Sequence, residues 1–159
     1  MTQPINTTIA TTTPKDIGQI HAIEQECNPN PWNRTDLETA TANPNALFLT
    51  MRRKEDSGKD KDEEIIGFIH GTMVLDELEI CGVAVKPEFQ GKGLGQTLIN
   101  RALTEATAKG AVRAFLEVRA SNHRAIRAYE KCGFAADGIR KGYYRGGEDA
   151  VLMSAGLGW

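Results

Sequence analysis

Gln90-Gly91-Lys92-Gly93-Leu94-Gly95-Gln96 places glycine at every second position of a turn between an apolar segment, Val83-Ala84-Val85, and a stretch of helical period. Glycine lets the backbone come close to an anion, and the first N–H groups of a helix have no internal partner and carry the positive end of its dipole. A loop of this kind cradles phosphate. Lys92 could add a charge, although its side chain is equally at home in solvent. Two better-known loops fail on spacing: a dinucleotide fingerprint needs G-x-G-x-x-G, and a P-loop needs Gly-Lys-Ser/Thr, which this stretch lacks. A turn that only reverses the chain is the bland alternative, and three alternating glycines before a helix make it the weaker one.

Other residues could act on a ligand held there. Glu117 lies between Leu116 and Val118, where partial burial would suit it to act as a base. Strand alternation offers the plainer reading of an outward surface carboxylate, and composition alone favours it. Tyr129 falls on the helix face of Ala125 and Ile126 and reads as a core aromatic with its hydroxyl at the rim. Asn122 begins that helix and can cap it. Trp32, Tyr143 and Tyr144 stand in loops or at strand ends, where packing is their ordinary role. Cys27, Cys81 and Cys132 lack the spacing of a metal site or disulfide framework, which points to a reducing cytoplasm.

The elements that would hold these residues follow from period and punctuation. Thr-rich sequence around Ile5 and Ile9 has strand propensity, and Thr13-Pro14-Lys15-Asp16 starts a helix carrying Ile17, Ile20 and Ile23 that fades before Pro29 and Pro31. Thr35-Asp36-Leu37-Glu38 resembles a capping box for a second helix, ended at Asn43-Pro44-Asn45. Strands are predicted for Ala46 to Met51, Ile65 to Leu75 and Glu79 to Lys86, with Arg52 to Glu64 a charged, solvated hairpin loop between the first two. A helix runs from Leu94 to Gly110. Val112 to Val118 is apolar enough to suggest a strand buried on both faces. Asn122 to Lys131 forms another helix, and Gly138 to Tyr144 and Ala150 to Met153 are short strands around Gly146-Gly147. The sum is a mixed α/β (α+β) domain.

The chain has 159 residues, 40% hydrophobic and 25% charged, which fits one domain with a single sizeable core and excludes general disorder. A net charge of −2 supplies no global field towards nucleic acid or an anionic membrane. Neither a signal peptide nor a membrane-spanning run is present, so a soluble, cytoplasmic protein is expected.

Taken together, these residues resemble the GNAT superfamily of N-acetyltransferases, whose pyrophosphate loop follows Gln/Arg-x-x-Gly-x-Gly/Ala, matched by Gln90, Gly93 and Gly95. Gly82 to Phe89 resembles the preceding strand. Leu116-Glu117-Val118-Arg119-Ala120-Ser121-Asn122 with Ala128-Tyr129-Glu130-Lys131-Cys132-Gly133-Phe134 is similar to the RimI-like branch, the ribosomal-protein-alanine N-acetyltransferases. Gly142-Tyr143-Tyr144, Gly147 to Met153, Ile23-Glu24-Gln25 and Pro31-Trp32 also resemble that branch. The Arg52 to Glu64 run departs from it by its length.

The resemblance implies a mixed sheet of about six to seven strands with about four helices, acetyl-CoA as co-substrate and no metal. It implies that Glu117 is the general base and Tyr129 the general acid for the CoA sulfur. Val83, Ala84 and Val85 would pair with the pantetheine arm through backbone, Gly91, Lys92, Gly93, Leu94, Gly95 and Gln96 would hold the pyrophosphate after Gln90, and Asn122 would contact acetyl-CoA. Trp32, Tyr143 and Tyr144 would wall the acceptor channel. The branch implies a protein amino terminus as acceptor, in particular the N-terminal alanine of a small-subunit ribosomal protein. Glu24, Glu26, Glu148 and Asp149 could attract its basic tail or be solvated surface. The competing readings are a small-molecule amine acetyltransferase acting on a polyamine or antibiotic, a non-enzymatic acetyl-CoA-binding module, and an acyl-enzyme on Cys81 or Cys132.

Overall fold

The computed structural model describes residues 5–54 and 64–158. Its elements run β1 (Thr7–Thr11), α1 (Ile17–Cys27), α2 (Arg34–Ala42), β2 (Ala46–Arg53), β3 (Ile65–Val74), β4 (Glu77–Val85), α3 (Leu94–Ala108), β5 (Arg113–Arg119), α4 (His123–Lys131), β6 (Ala135–Arg140) and β7 (Ala150–Gly156). This is the expected order, with seven strands and four helices. Pro14 opens a 3-10 turn that leads into α1, and one carboxylate oxygen of Asp16 accepts from Thr13 N–H while the other meets Arg52.

Several boundaries differ from expectation. Asn33, not Thr35, caps α2: its side chain accepts from the Asp36 N–H at 2.8 Å, so the first helical residue is Arg34. Arg52 and Arg53 extend β2, and most of the charged run, 55–63, lies outside the described residues. Gly142 to Tyr144 is not strand. β6 starts earlier, directly after Phe134, and ends at Arg140, because the segment around Tyr144 folds on itself through Tyr144 N–H to Glu148 O and Gly147 N–H to Tyr144 O. β7 runs on to Gly156. β5 is not buried on both faces: Ala114, Leu116 and Val118 are buried while Glu117 is exposed.

All seven strands form one sheet in the order β1-β2-β3-β4-β5-β7-β6. Every neighbouring pair is antiparallel except β4 and β5, which are parallel and joined by the α3 crossover. Two apolar clusters pack on its two faces. Ile17, Ile20, Ile23 and Leu37 of α1 and α2 close over Phe48, Ile65 and Phe68. Leu98, Ile99, Ala102 and Leu103 of α3 join Leu49, Ile66, Ile69, Leu78, Ile80 and Leu116 on the other side, with Tyr129 and Phe134. Full burial of each such large side chain contributes about 1.5–3 kcal/mol.

Candidate active site

The site begins as an interruption of the sheet. β4 pairs with β5 only from Glu77–Arg113 to Ile80–Leu116. On its other edge β4 is bulged: His70 faces Gly82 and Gly71 faces Ile80, so Cys81 is the extra residue. A bulge bends and twists its strand, and beyond it β4 and β5 part. Gly71 must be glycine here, because a Cβ would lie 2.5 Å from the Glu79 carbonyl oxygen. The Lys86 N–H donates to Ile66 O on β3, so alternation turns the backbone groups of Val83 and Val85 away from β3, towards the gap.

The gap is a cleft of about 450 Å³. Of the residues expected to carry function, Trp32, Val83, Ala84, Glu117, Asn122, Tyr129, Tyr143 and Tyr144 line it. Val85 is buried, and its carbonyl accepts from Gln90 Nε2 at 2.9 Å and from Cys27 Sγ at 3.5 Å. Gln90 to Gln96 do not line the cleft; they form the turn into α3 beside it. Gly91 and Gly93 have φ of +79° and +80°, the left-handed region that glycine enters without steric cost, and a Cβ at either would meet nothing within 4 Å. Gly93 caps α3 without a side chain, so the first-turn N–H groups of α3 stay available to a ligand.

Gln90 has a role that its sequence context did not reveal. Besides holding Val85 O, its Oε1 accepts from Arg124 of α4 at 2.6 Å. One side chain thus ties the glycine loop to the end of β4 and to α4. Asn122 caps α4 by accepting from the Ala125 N–H at 3.2 Å.

Tyr129 is 5% exposed and packs edge-on against Phe134, with ring centres 5.5 Å apart. Its hydroxyl has no hydrogen-bond partner among the described residues, and burial, with Tyr144 and Cys132 adding to it, pushes its pKa well above the ordinary phenol range. Glu117 is exposed to the cleft, as the outward strand reading has it rather than partly buried, and lies 3.3 Å from Arg140. The neighbouring Glu117 carboxylate raises the Tyr143 pKa. Arg119 stacks 4.1 Å from the centre of Tyr144 and lies 3.7 Å from Glu148. Trp32 sits edge-on to His70, with ring centres 4.5 Å apart.

Three of the four carboxylates considered for a basic tail are committed within the fold. Glu24 is buried and accepts from the Trp32 N–H at 2.8 Å, fixing the α1–α2 connection. Glu148 accepts from Ser121 at 2.6 Å, which holds its carboxyl below the usual range, and Asp149 accepts from the Gly142 N–H at 2.9 Å. Cys81 is a poor nucleophile, since burial and then Glu79 push its thiol up to about 11; burial raises Cys132 as well. Among the described residues no group of three or more His, Cys, Asp or Glu could hold a metal ion, and no helix is long and apolar enough to cross a membrane.

A splayed parallel pair with a glycine-capped crossover helix is thus the frame of the site. The family model described as the acetyltransferase (GNAT) family matches residues 17–134, which include all of it except the β6–β7 segment. The chain belongs to the GNAT family. Similar proteins include the ribosomal protein bS18-alanine N-acetyltransferases of Salmonella typhimurium, 34% identical over 150 residues, and of Escherichia coli K12, 33% identical over 150 residues. Each alignment spans 92% of this chain and 95% of the relative. The crystal structure of the ribosomal-protein-S18-alanine N-acetyltransferase from Escherichia coli superposes with a TM-score of 0.84 at 29% identity, covering 97% of this chain and 96% of that one. Ard1 from Thermoplasma volcanium gives 0.86 at 25% identity, covering 96% and 99%.

This GNAT chain is an acetyl-CoA-dependent N-acetyltransferase. The residues present fit the donor. The edge of β4 beyond Ile80, without a strand partner on the β5 side, suits an extended amide-bearing arm, and the open glycine turn at the α3 N-terminus suits a pyrophosphate.

Proposed function

We propose that this enzyme acetylates the α-amine of a protein, most specifically the N-terminal alanine of a small-subunit ribosomal protein. The observation that carries the reading is the splayed β4–β5 cleft, which brings the free edge of β4, the Glu117 carboxylate and the unpartnered Tyr129 hydroxyl into one space. The two curated relatives named above act on ribosomal protein bS18, and their match over 92% of the chain supports the same acceptor.

When bound, acetyl-CoA supplies a thioester whose carbonyl an amine can attack. Val83 and Val85 N–H groups would hold the donor arm by strand-like pairing, and the α3 N-terminus with Gly91 to Gln96 would hold its pyrophosphate. Lys92, exposed at the turn, adds charge there. Asn122 fixes the start of α4, and with it the helix that carries Tyr129. Glu117 accepts the proton the amine must lose. Tyr129 donates its phenolic proton to the departing sulfur; its raised pKa keeps that proton in place at neutral pH. Trp32, Tyr143 and Tyr144 form the acceptor walls.

The test is an acetylation assay on peptides beginning with the ribosomal-type alanine sequence, on peptides with other N-termini, on free lysine and on polyamines. Transfer confined to N-terminal amines, with the alanine peptide preferred, is expected. Selective transfer to a polyamine would overturn the protein-acceptor reading.

A further inference from the structure

Besides tyrosines and cysteines, the ionisable groups lining the cleft are Glu24, Glu79, Glu117 and Arg119. Glu24 is spent on Trp32, Arg119 on Glu148 and Tyr144, and Glu117 is paired with Arg140. Glu79 has no ion-pair partner among the described residues. Its one side-chain hydrogen bond among the described residues comes from the Cys81 thiol, at 3.9 Å. It is exposed, on β4 opposite Phe115, one rung before the strands part. Glu117 is two residues beyond Phe115 and therefore on the same face, with Cα atoms about 8 Å apart from strand spacing and rise. An ammonium between them can reach both carboxylates.

A second observation marks the same space as a ligand site. Tyr129 is nearly fully buried and lines the cleft with its hydroxyl unpartnered. Among the described residues no buried side-chain oxygen lacks a partner, so this hydroxyl tip is open to the cleft and free to take a ligand as its partner. Glu79 and Glu117 also both act on Tyr143, raising its pKa.

We propose that Glu79 is an acceptor-binding residue that, together with Glu117, captures the protonated amino group and selects acceptors that carry no negative charge close to it. This rests on the N-terminal acceptor reading. Glu117 then takes the proton while Glu79 retains the amine. The pair disfavours free amino acids, whose carboxylate is two bonds from the amine, and polypeptides with an acidic second residue.

The experiment is steady-state kinetics of Glu79→Gln and Glu79→Asp on two alanine-starting peptides that differ only in arginine or aspartate at the second position. Expected for Glu79→Gln is a rise of about three- to tenfold in acceptor KM, with acetyl-CoA KM unchanged. The preference for the arginine peptide and the salt dependence of acceptor KM both shrink, and Glu79→Asp restores part of each. An unchanged acceptor KM, or a parallel rise in acetyl-CoA KM, would overturn the proposal. Should the wild-type enzyme act only on a polyamine, the N-terminal reading fails by itself, and Glu79 is then judged by the same KM comparison on that amine.

Discussion

Tyr129 is buried except for a hydroxyl that opens to the cleft without a protein partner, a placement that suits a proton donor. Glu117 differs in kind, exposed to the cleft and bracketed by Arg140 and Tyr143. Glu117→Gln and Tyr129→Phe are each expected to lower kcat by roughly 10²–10⁴-fold. Acetyl-CoA binding, measured by calorimetry, should be retained. Unchanged turnover in both variants would remove the mechanism. His70 carries a different consequence. It is 4% exposed, ringed by Trp32, Phe48 and Phe68, and burial lowers its pKa to about 4. The unfolded chain takes up its proton near the usual histidine value while the folded chain does not, so stability is full above that value and is lost as pH falls towards 4. Urea midpoints should show a loss of about 2 kcal/mol between about pH 7 and about pH 5 from this group, and His70→Phe should flatten that part of the curve.

Among the elements, the β3–β4 hairpin does most to shape the site, since its bulge at Cys81 turns β4 away from β5. The turn of the same hairpin is strained. Leu75 has φ of +57° and is 95% exposed, so the fold gains no packing from a leucine in a conformation suited to glycine. Leu75→Gly should raise stability by roughly 0.5–1 kcal/mol, relief of strain exceeding the added freedom of the unfolded chain. A lower urea midpoint in that variant would contradict the strain argument. Helix starts are only partly legible in the sequence. Asn122 at the head of α4 was legible because an Asn there has one obvious task. Asn33 is hidden because Thr35 with Glu38 offers a pattern of the same type two residues later, and only the backbone path into α2 separates the two.

At the scale of the molecule, the two apolar clusters on opposite faces of the sheet support different halves of the site. The α1–α2 cluster holds the segment with Glu24 and Trp32, whereas the α3 cluster holds the glycine turn. Ile20→Ala and Leu98→Ala should each cost about 2–5 kcal/mol. In the folded enzyme, Ile20→Ala is expected to raise acceptor KM and Leu98→Ala acetyl-CoA KM, and equal effects on both constants in both variants would refute this division. The sequence by itself determined the element order, the glycine-rich turn at the head of α3 and, through its motifs, the family, because these depend on residue type and short spacing. It could not determine which side chains share the cleft. Glu79 reads as an ordinary strand carboxylate until the parallel register sets it beside Glu117, and Glu24 and Glu148 read as free charges until folding supplies their partners. The gap itself arises where a bulge on one edge of β4 meets the end of pairing on the other, a property of three strands together that local sequence does not carry.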